Sequence, residues 1–174
     1  MSRRRQRNRG VIAPLAMATL LLLARGAAAQ SLPAAIAVPG ATPVATLHAT
    51  GAQIYECKTG SDDKLAWTFR EPIATLILDG KTVGRHYAGP TWEHVDGSAV
   101  VAKGAGKTPG ATANDIAWLK LDVVGHRGSG TLDKASVVLR INTSGGVLRG
   151  SCDHAGALTS APYSADYVFL HTGG

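Results

Sequence analysis

From residue 47 onward apolar and polar side chains trade places over short distances, and no stretch keeps a helical period for long. Residues 52–57 alternate at period two, as a strand with one buried face does. A polar turn at 59–64 follows, and the alternation resumes over 65–70. Two hairpin signals come next. Residues 74–78 and 81–87 flank Asp79-Gly80, and 91–95 and 98–103 flank Asp96-Gly97. An Asp-Gly pair suits the positive φ angles of a type I′ turn, whose twist matches that of paired strands. Residues 104–114 read as a glycine-rich loop. The spacing then predicts a strand over 117–124, with Leu119, Leu121 and Val123 on one face. Another covers 135–142, where Val137, Leu139 and Ile141 alternate with Val138 and Arg140. Segment 150–157 carries Cys152, and 165–170 closes the series with Tyr167 and Phe169 on one face. The sum is an all-β fold: a single antiparallel β-sandwich or barrel-like domain of about eight short strands. The competing expectation adds one short helix, at 113–119 or 155–159.

The first residues follow another pattern and change the reading of charge. Arg3, Arg4, Arg5, Arg7 and Arg9 precede a mostly apolar run over 11–24, and Ala27-Ala28-Ala29 offers a small-residue cleavage site. That is the form of a signal peptide over 1–29, so the chain is expected to be exported, periplasmic or secreted. The apolar run falls short of the roughly 20 residues of a spanning helix, and no transmembrane segment is expected after cleavage. Ser2-Arg3-Arg4 hints at twin-arginine export, but the apolar residues that should follow the arginines are missing, and the route stays open. Residues 30–43 read as an extended lead-in rich in Ala and Pro, and 44–174 as one β-rich domain. The whole chain carries 18 Lys+Arg against 12 Asp+Glu. Six of the basic residues, Arg25 included, precede residue 30, and no acidic one precedes Glu56, so the remainder balances at 18 − 6 = 12 against 12. Its net charge near zero lacks the basic footprint of a nucleic-acid partner. Both cysteines, Cys57 and Cys152, lie in the exported part, where an oxidising compartment favours one disulfide.

Candidate chemistry concentrates in His86-Tyr87-Ala88-Gly89-Pro90-Thr91-Trp92-Glu93, the connection between the two hairpins. His86, Tyr87, Trp92 and Glu93 form the candidate ligand-binding set: two aromatic walls and two polar contacts at a Gly-Pro bend. The same residues also serve as core aromatics with satisfied polar neighbours. Other motifs are weaker. Lys103 to Thr108 resembles the tail of a phosphate-binding loop, but Val101 replaces the first glycine and Pro109 stops the helix that should follow. Gly128-Ser129-Gly130 lacks the spacing of a nucleophile elbow. Asn142-Thr143-Ser144 is a glycosylation sequon. The densest metal-capable group is His86, Glu93, His94 and Asp96. Neighbours Glu93 and His94 would point to opposite faces of a strand, so no metal is expected. No cofactor is expected either, since the chain has no G-x-G-x-x-G turn for a dinucleotide.

Several motifs recur in an order that resembles a known family. They are Gln53-Ile54-Tyr55-x-Cys57, Trp67-x-Phe69, Gly84-x-His86-Tyr87-Ala88-Gly89-Pro90-Thr91-Trp92-Glu93, Asp96-Gly97-Ser98, Ile116-x-Trp118-Leu119, Arg140-x-Asn142-Thr143-x-Gly145-Gly146, Cys152-Asp153 and Tyr163-x-Ala165-Asp166-Tyr167. Together they are similar to domain of unknown function 3455, an exported β-rich family of bacteria and fungi. The resemblance implies a single β-rich domain with paired cysteines at Cys57 and Cys152, and it implies no catalytic residue. The leading expectation is therefore an exported β-domain that binds a small molecule, glycan or surface partner. The rivals are an exported hydrolase using His86 and Glu93 as acid and base, and a structural envelope or stress protein without a ligand.

Overall fold

The structure is a computed structural model and describes residues 31–173; the leader assigned to 1–29 lies outside them. Eight strands follow in order: β1 (Thr42–Thr59), β2 (Leu65–Leu78), β3 (Lys81–Tyr87), β4 (Thr91–His94), β5 (Ala99–Thr108), β6 (Trp118–Arg127), β7 (Val137–Gly145) and β8 (Leu158–His171). Each pairs antiparallel with its sequence neighbour, and β8 pairs back onto β1 from Thr42↔His171 to Glu56↔Leu158. The all-β expectation holds, and of its two forms the barrel is the one observed. Closure leaves no unpaired sheet edge, which a sandwich would have kept.

Alternation decides what the closed sheet holds. In β1 the buried side chains are Leu47, Ala49, Gln53, Tyr55 and Cys57; in β8 they are Tyr163, Ala165, Tyr167 and Phe169 on one face and Leu170 on the other. Leu47, Leu76, Val100, Val138 and Phe169 are fully buried inside the barrel. β7 is buried on both faces. Val138 points inward, while Val137 and Leu139 join Leu170 in a second cluster under Leu32 and Val38 of the lead-in. The lead-in also forms a 3-10 turn at Ala34–Ile36, and Ile36 is fully buried. The Val137-Leu139-Ile141 stripe thus faces the lead-in, and Arg140 shares the inner face with Val138.

The two ends of the barrel are finished differently. At one end Asp79 and Gly80, with φ of 50° and 73°, make the expected type I′ turn between Leu78 and Lys81. The Asp96-Gly97 turn is wider. His94 N–H donates to the Ser98 carbonyl at 2.9 Å, and only Gly97 of the pair has positive φ. Asp96 uses this room to accept from Ser98 N–H (2.9 Å), Thr131 N–H (2.7 Å) and the Thr131 hydroxyl (2.7 Å). Those bonds anchor the β6–β7 loop, whose Leu132 is fully buried in the barrel core with its N–H on Ser98 Oγ. This end is plugged.

At the other end the β7–β8 connection crosses to the β1–β2 hairpin. The disulfide Cys57–Cys152 joins them with 5.9 Å between Cα atoms. Trp67 N–H donates to the Gly150 carbonyl and Gly156 N–H to the Cys57 carbonyl. The Tyr55 hydroxyl donates to the Gly146 carbonyl at 2.7 Å and accepts from Leu148 N–H at 3.2 Å.

Several boundaries differ from the expectation. The strands foreseen at 65–70 and 74–78 are one, β2, in which Pro72 pairs with Gln53 beside a register shift at Ile54/Tyr55. A bulge is where a sheet tolerates a residue without an N–H. β5 runs on through Gly104 and Gly106 to Thr108, so the phosphate-loop look-alike is extended strand. Neither 113–119 nor 155–159 is helical, and 150–157 keeps only the bridge Ala66↔Ser151.

Candidate functional site

Strands β3 and β4 pair with Arg85 opposite Glu93, His86 opposite Trp92 and Tyr87 opposite Thr91. Successive side chains leave a strand on opposite faces. The four candidates therefore separate into two pairs. His86 and Trp92 point into the barrel, whereas Tyr87 and Glu93 lie on its outside.

The outer pair belongs to a small ionic cluster. Tyr87 O–H donates to Glu93 Oε2 at 2.7 Å, Arg127 to the same oxygen at 2.6 Å, and Arg85 to Oε1 at 3.0 Å. Arg85 also sits 5.1 Å over the Tyr87 ring. The Tyr87 hydroxyl, then the arginines, hold the Glu93 carboxyl below its ordinary range. Both arginine side chains are about two-thirds exposed, 67% and 65%, so such pairs contribute little to stability.

The inner pair is an aromatic stack. The His86 and Trp92 rings lie 4.4 Å apart and 9° from parallel. Tyr167 leans on both, at 4.9 Å from His86 and 5.2 Å from Trp92. His86 Nδ1–H donates to the Thr91 carbonyl at 2.8 Å, which leaves Nε2 as an acceptor. Burial lowers the His86 pKa from 6.5 to about 4, with the positive charge of Arg140 adding to the effect, so the imidazole is neutral at neutral pH. Gly89 (φ 103°) and Pro90 form the turn beside this stack, and the Thr91 hydroxyl closes it onto the Ala88 carbonyl.

These rings form one wall of a cavity of about 430 Å³ at the disulfide-bearing end of the barrel. Ile116, Leu119 and Leu121 supply apolar walls, and Tyr55 and Phe69 flank it, their rings edge-to-face at 5.9 Å. Gln53, Arg140 and Tyr167 add the polar groups. Among the described residues, Trp92 Nε1 and Gln53 Nε2 are both buried without a hydrogen-bond partner of good geometry, the Gln53 amide lying near the Tyr163 hydroxyl. Burial pushes the Tyr167 phenol well above its usual value, so it stays protonated. Glu71 is the carboxylate of the lining, and it is paired with Arg70 at 3.1 Å.

The family model described as protein of unknown function (DUF3455) matches residues 38–171, a span that includes all eight strands. The chain belongs to that family. No match was found among curated proteins or among solved structures.

Gln53, Arg140 and Tyr167 were not among the candidates read from the sequence. Arg140 did leave a signal: it is the one charged residue in the otherwise apolar run of 137–141. Gln53 left a fainter one, as a polar residue in phase with Tyr55 and Cys57. His86 and Glu93 cannot act on one bond as acid and base, because the barrel wall lies between them. Among the described residues, the lining contains no Ser, Thr, Cys or Lys to serve as a nucleophile. Among the described residues, no group of three or more His, Cys, Asp or Glu is placed to hold a metal ion.

Proposed function

We propose that the barrel interior binds one small, mainly apolar molecule, and that the protein does so after export. The observation that carries this reading is the cavity of about 430 Å³, walled by the His86–Trp92 stack and holding two buried nitrogens without partners. Small-molecule sites are concave, mostly apolar and provided with a few convergent polar groups, at volumes of about 300–1,000 Å³. An interior that only supported the fold would be filled and its donors paired. Export is supported by the leader-like residues 1–29 and by the Cys57–Cys152 disulfide, a bond that persists in oxidising compartments.

The test uses the neutral fluorescent probe N-phenyl-1-naphthylamine. Saturable one-to-one binding and a raised melting temperature are expected for the wild type. Leu119→Trp, which fills the cavity from a half-buried wall position, should abolish both while retaining the β-rich circular-dichroism spectrum. Equal binding by that variant, or no saturable binding by the wild type, refutes the reading.

A further inference from the structure

We infer that the ligand of this cavity is a small organic anion, with Arg140 receiving its negative charge; this rests on the reading of the barrel interior as a binding site. Arg140 lies on the inner face of β7, partly buried, and its Nε–H donates to the Ala117 carbonyl at 3.0 Å. That bond orients the guanidinium, whose other polar neighbour inside the barrel is the Tyr167 hydroxyl, a neutral group that brings no counter-charge. Among the described residues, no carboxylate comes within 4.0 Å of it. The exposed Arg70, Arg85 and Arg127 each have one, Arg70 at the cavity mouth included. A charge held against apolar walls is costly unless an opposite charge or several hydrogen bonds meet it.

The neighbouring groups have the same polarity of need. Trp92 Nε1–H is only a donor, and it is buried without an acceptor. Gln53 Nε2 is buried likewise, on an amide that can turn to suit its partner. An ionised carboxylate or sulfonate consists of acceptor oxygens alone and can satisfy the guanidinium and the indole together. Nothing inside repels it: His86 and Tyr167 are neutral, and Glu71 is occupied by Arg70. The apolar walls and the aromatic stack specify the rest of the molecule, a compact ring-bearing body. A cation would meet Arg140 at close range, and a neutral hydrocarbon would leave the guanidinium without a counter-charge and the indole N–H without an acceptor.

A matched pair of dyes tests the charge separately from the cavity. 1-Anilinonaphthalene-8-sulfonate carries a sulfonate on the scaffold that N-phenyl-1-naphthylamine presents without charge. The wild type should bind the sulfonate at least about 10-fold more tightly than the neutral dye, the smaller end of what a charged hydrogen bond contributes. Arg140→Met should weaken the sulfonate on the order of 10- to 100-fold and leave the neutral dye within about twofold. Arg140→Lys, which keeps the charge and loses the planar fork, should retain much of the preference. Trp92→Phe, which removes the indole N–H and keeps an aromatic ring, should reduce the sulfonate preference several-fold. It carries the test alone if Arg140→Met does not fold. Equal wild-type affinities, or a preference unchanged in the folded Arg140→Met or Trp92→Phe variant, overturn the anion inference while binding of the neutral dye sustains the cavity reading. Saturable binding of neither dye overturns both.

Discussion

Acidification should weaken the protein through His86 before most carboxylates titrate, and the size of the effect follows from its burial. The imidazole is 3% exposed, its pKa lowered from 6.5 to about 4 mainly by desolvation. Above pH 6.5 neither the folded nor the unfolded chain protonates this group, and it imposes no pH dependence. Between 6.5 and 4 the unfolded chain takes up a proton that the barrel refuses, so stability falls as pH falls. Below 4 both states are protonated and the loss levels off. The linkage relation gives a loss of about 2 kcal/mol at pH 5, rising to about 3 kcal/mol at pH 4. His86→Phe keeps a ring against Trp92 and cannot titrate. It will be less stable at every pH, by roughly 1–3 kcal/mol, because the Thr91 carbonyl loses its donor. The informative quantity is therefore the difference in slope. Urea denaturation of both proteins at pH 8 and pH 5 yields it, since contributions from distant groups cancel between them. Wild type should lose about 2 kcal/mol more than the variant over that interval. Identical slopes, or an NMR titration of His86 with its midpoint near 6.5, would refute the argument that the ring is desolvated in the barrel.

The two ends of the barrel yield predictions of their own. Reducing Cys57–Cys152 should destabilise the fold by about 4–5 kcal/mol in a chain-entropy model, for a sequence separation of 95. Amide exchange at Trp67, Cys152 and Gly156 should accelerate before that of the core strands, whereas an unchanged melting temperature on reduction would count against this role. At the plugged end burial disfavours the Asp96 charge, but donors from Ser98 and Thr131 outweigh it and hold the carboxyl far below its usual range. Its stabilisation is thus present above about pH 4 and lost as pH falls below that value. Asp96→Asn should cost roughly 1–3 kcal/mol at pH 7 and about 1 kcal/mol less at pH 3; an equal cost in urea titrations at both pH values would contradict the assignment.

Fold class was legible because period-two alternation and Asp79-Gly80 are local signals, and local structure obeyed them. Closure was not, since alternation tells a strand which face to bury and says nothing of its partner. The β1–β8 ladder joins residues more than a hundred positions apart, as in Thr42↔His171. Residues 71–73 were left between two expected strands, whereas β2 runs through Pro72, beside a register shift that is a property of the β1–β2 pair rather than of β2. The cysteine pairing was legible for a different reason, that two cysteines allow one intramolecular bridge. In the candidate site, closeness in sequence was mistaken for closeness in space. His86 and Tyr87 are adjacent in the chain and lie on opposite sides of the wall; His86 and Tyr167 are 81 positions apart and their rings are 4.9 Å apart. The polar half of the cavity, Gln53 and Arg140, was hidden by alternation itself, which assigns polar residues outward unless a cavity gives them a reason to turn in.

That inward turn is what separates this barrel from one built only to be stable. The closed sheet, the Asp96–Thr131 anchor with Leu132, and the Tyr55 and disulfide ties at the rim hold the walls in place from both ends. Of these devices only the Tyr55 tie involves a residue of the cavity lining. An unpaired buried donor costs about 1–3 kcal/mol, and the lining contains two, beside a guanidinium without a carboxylate. Leucine at 53 and phenylalanine at 92 would remove those costs within the same alternation pattern. Local rules that a sequence breaks without structural compensation mark functional or strained positions. Here no positive-φ residue other than glycine lies at 53, 92 or 140, so backbone strain does not explain them. The proposed anion would offer acceptor atoms to the donors at all three positions.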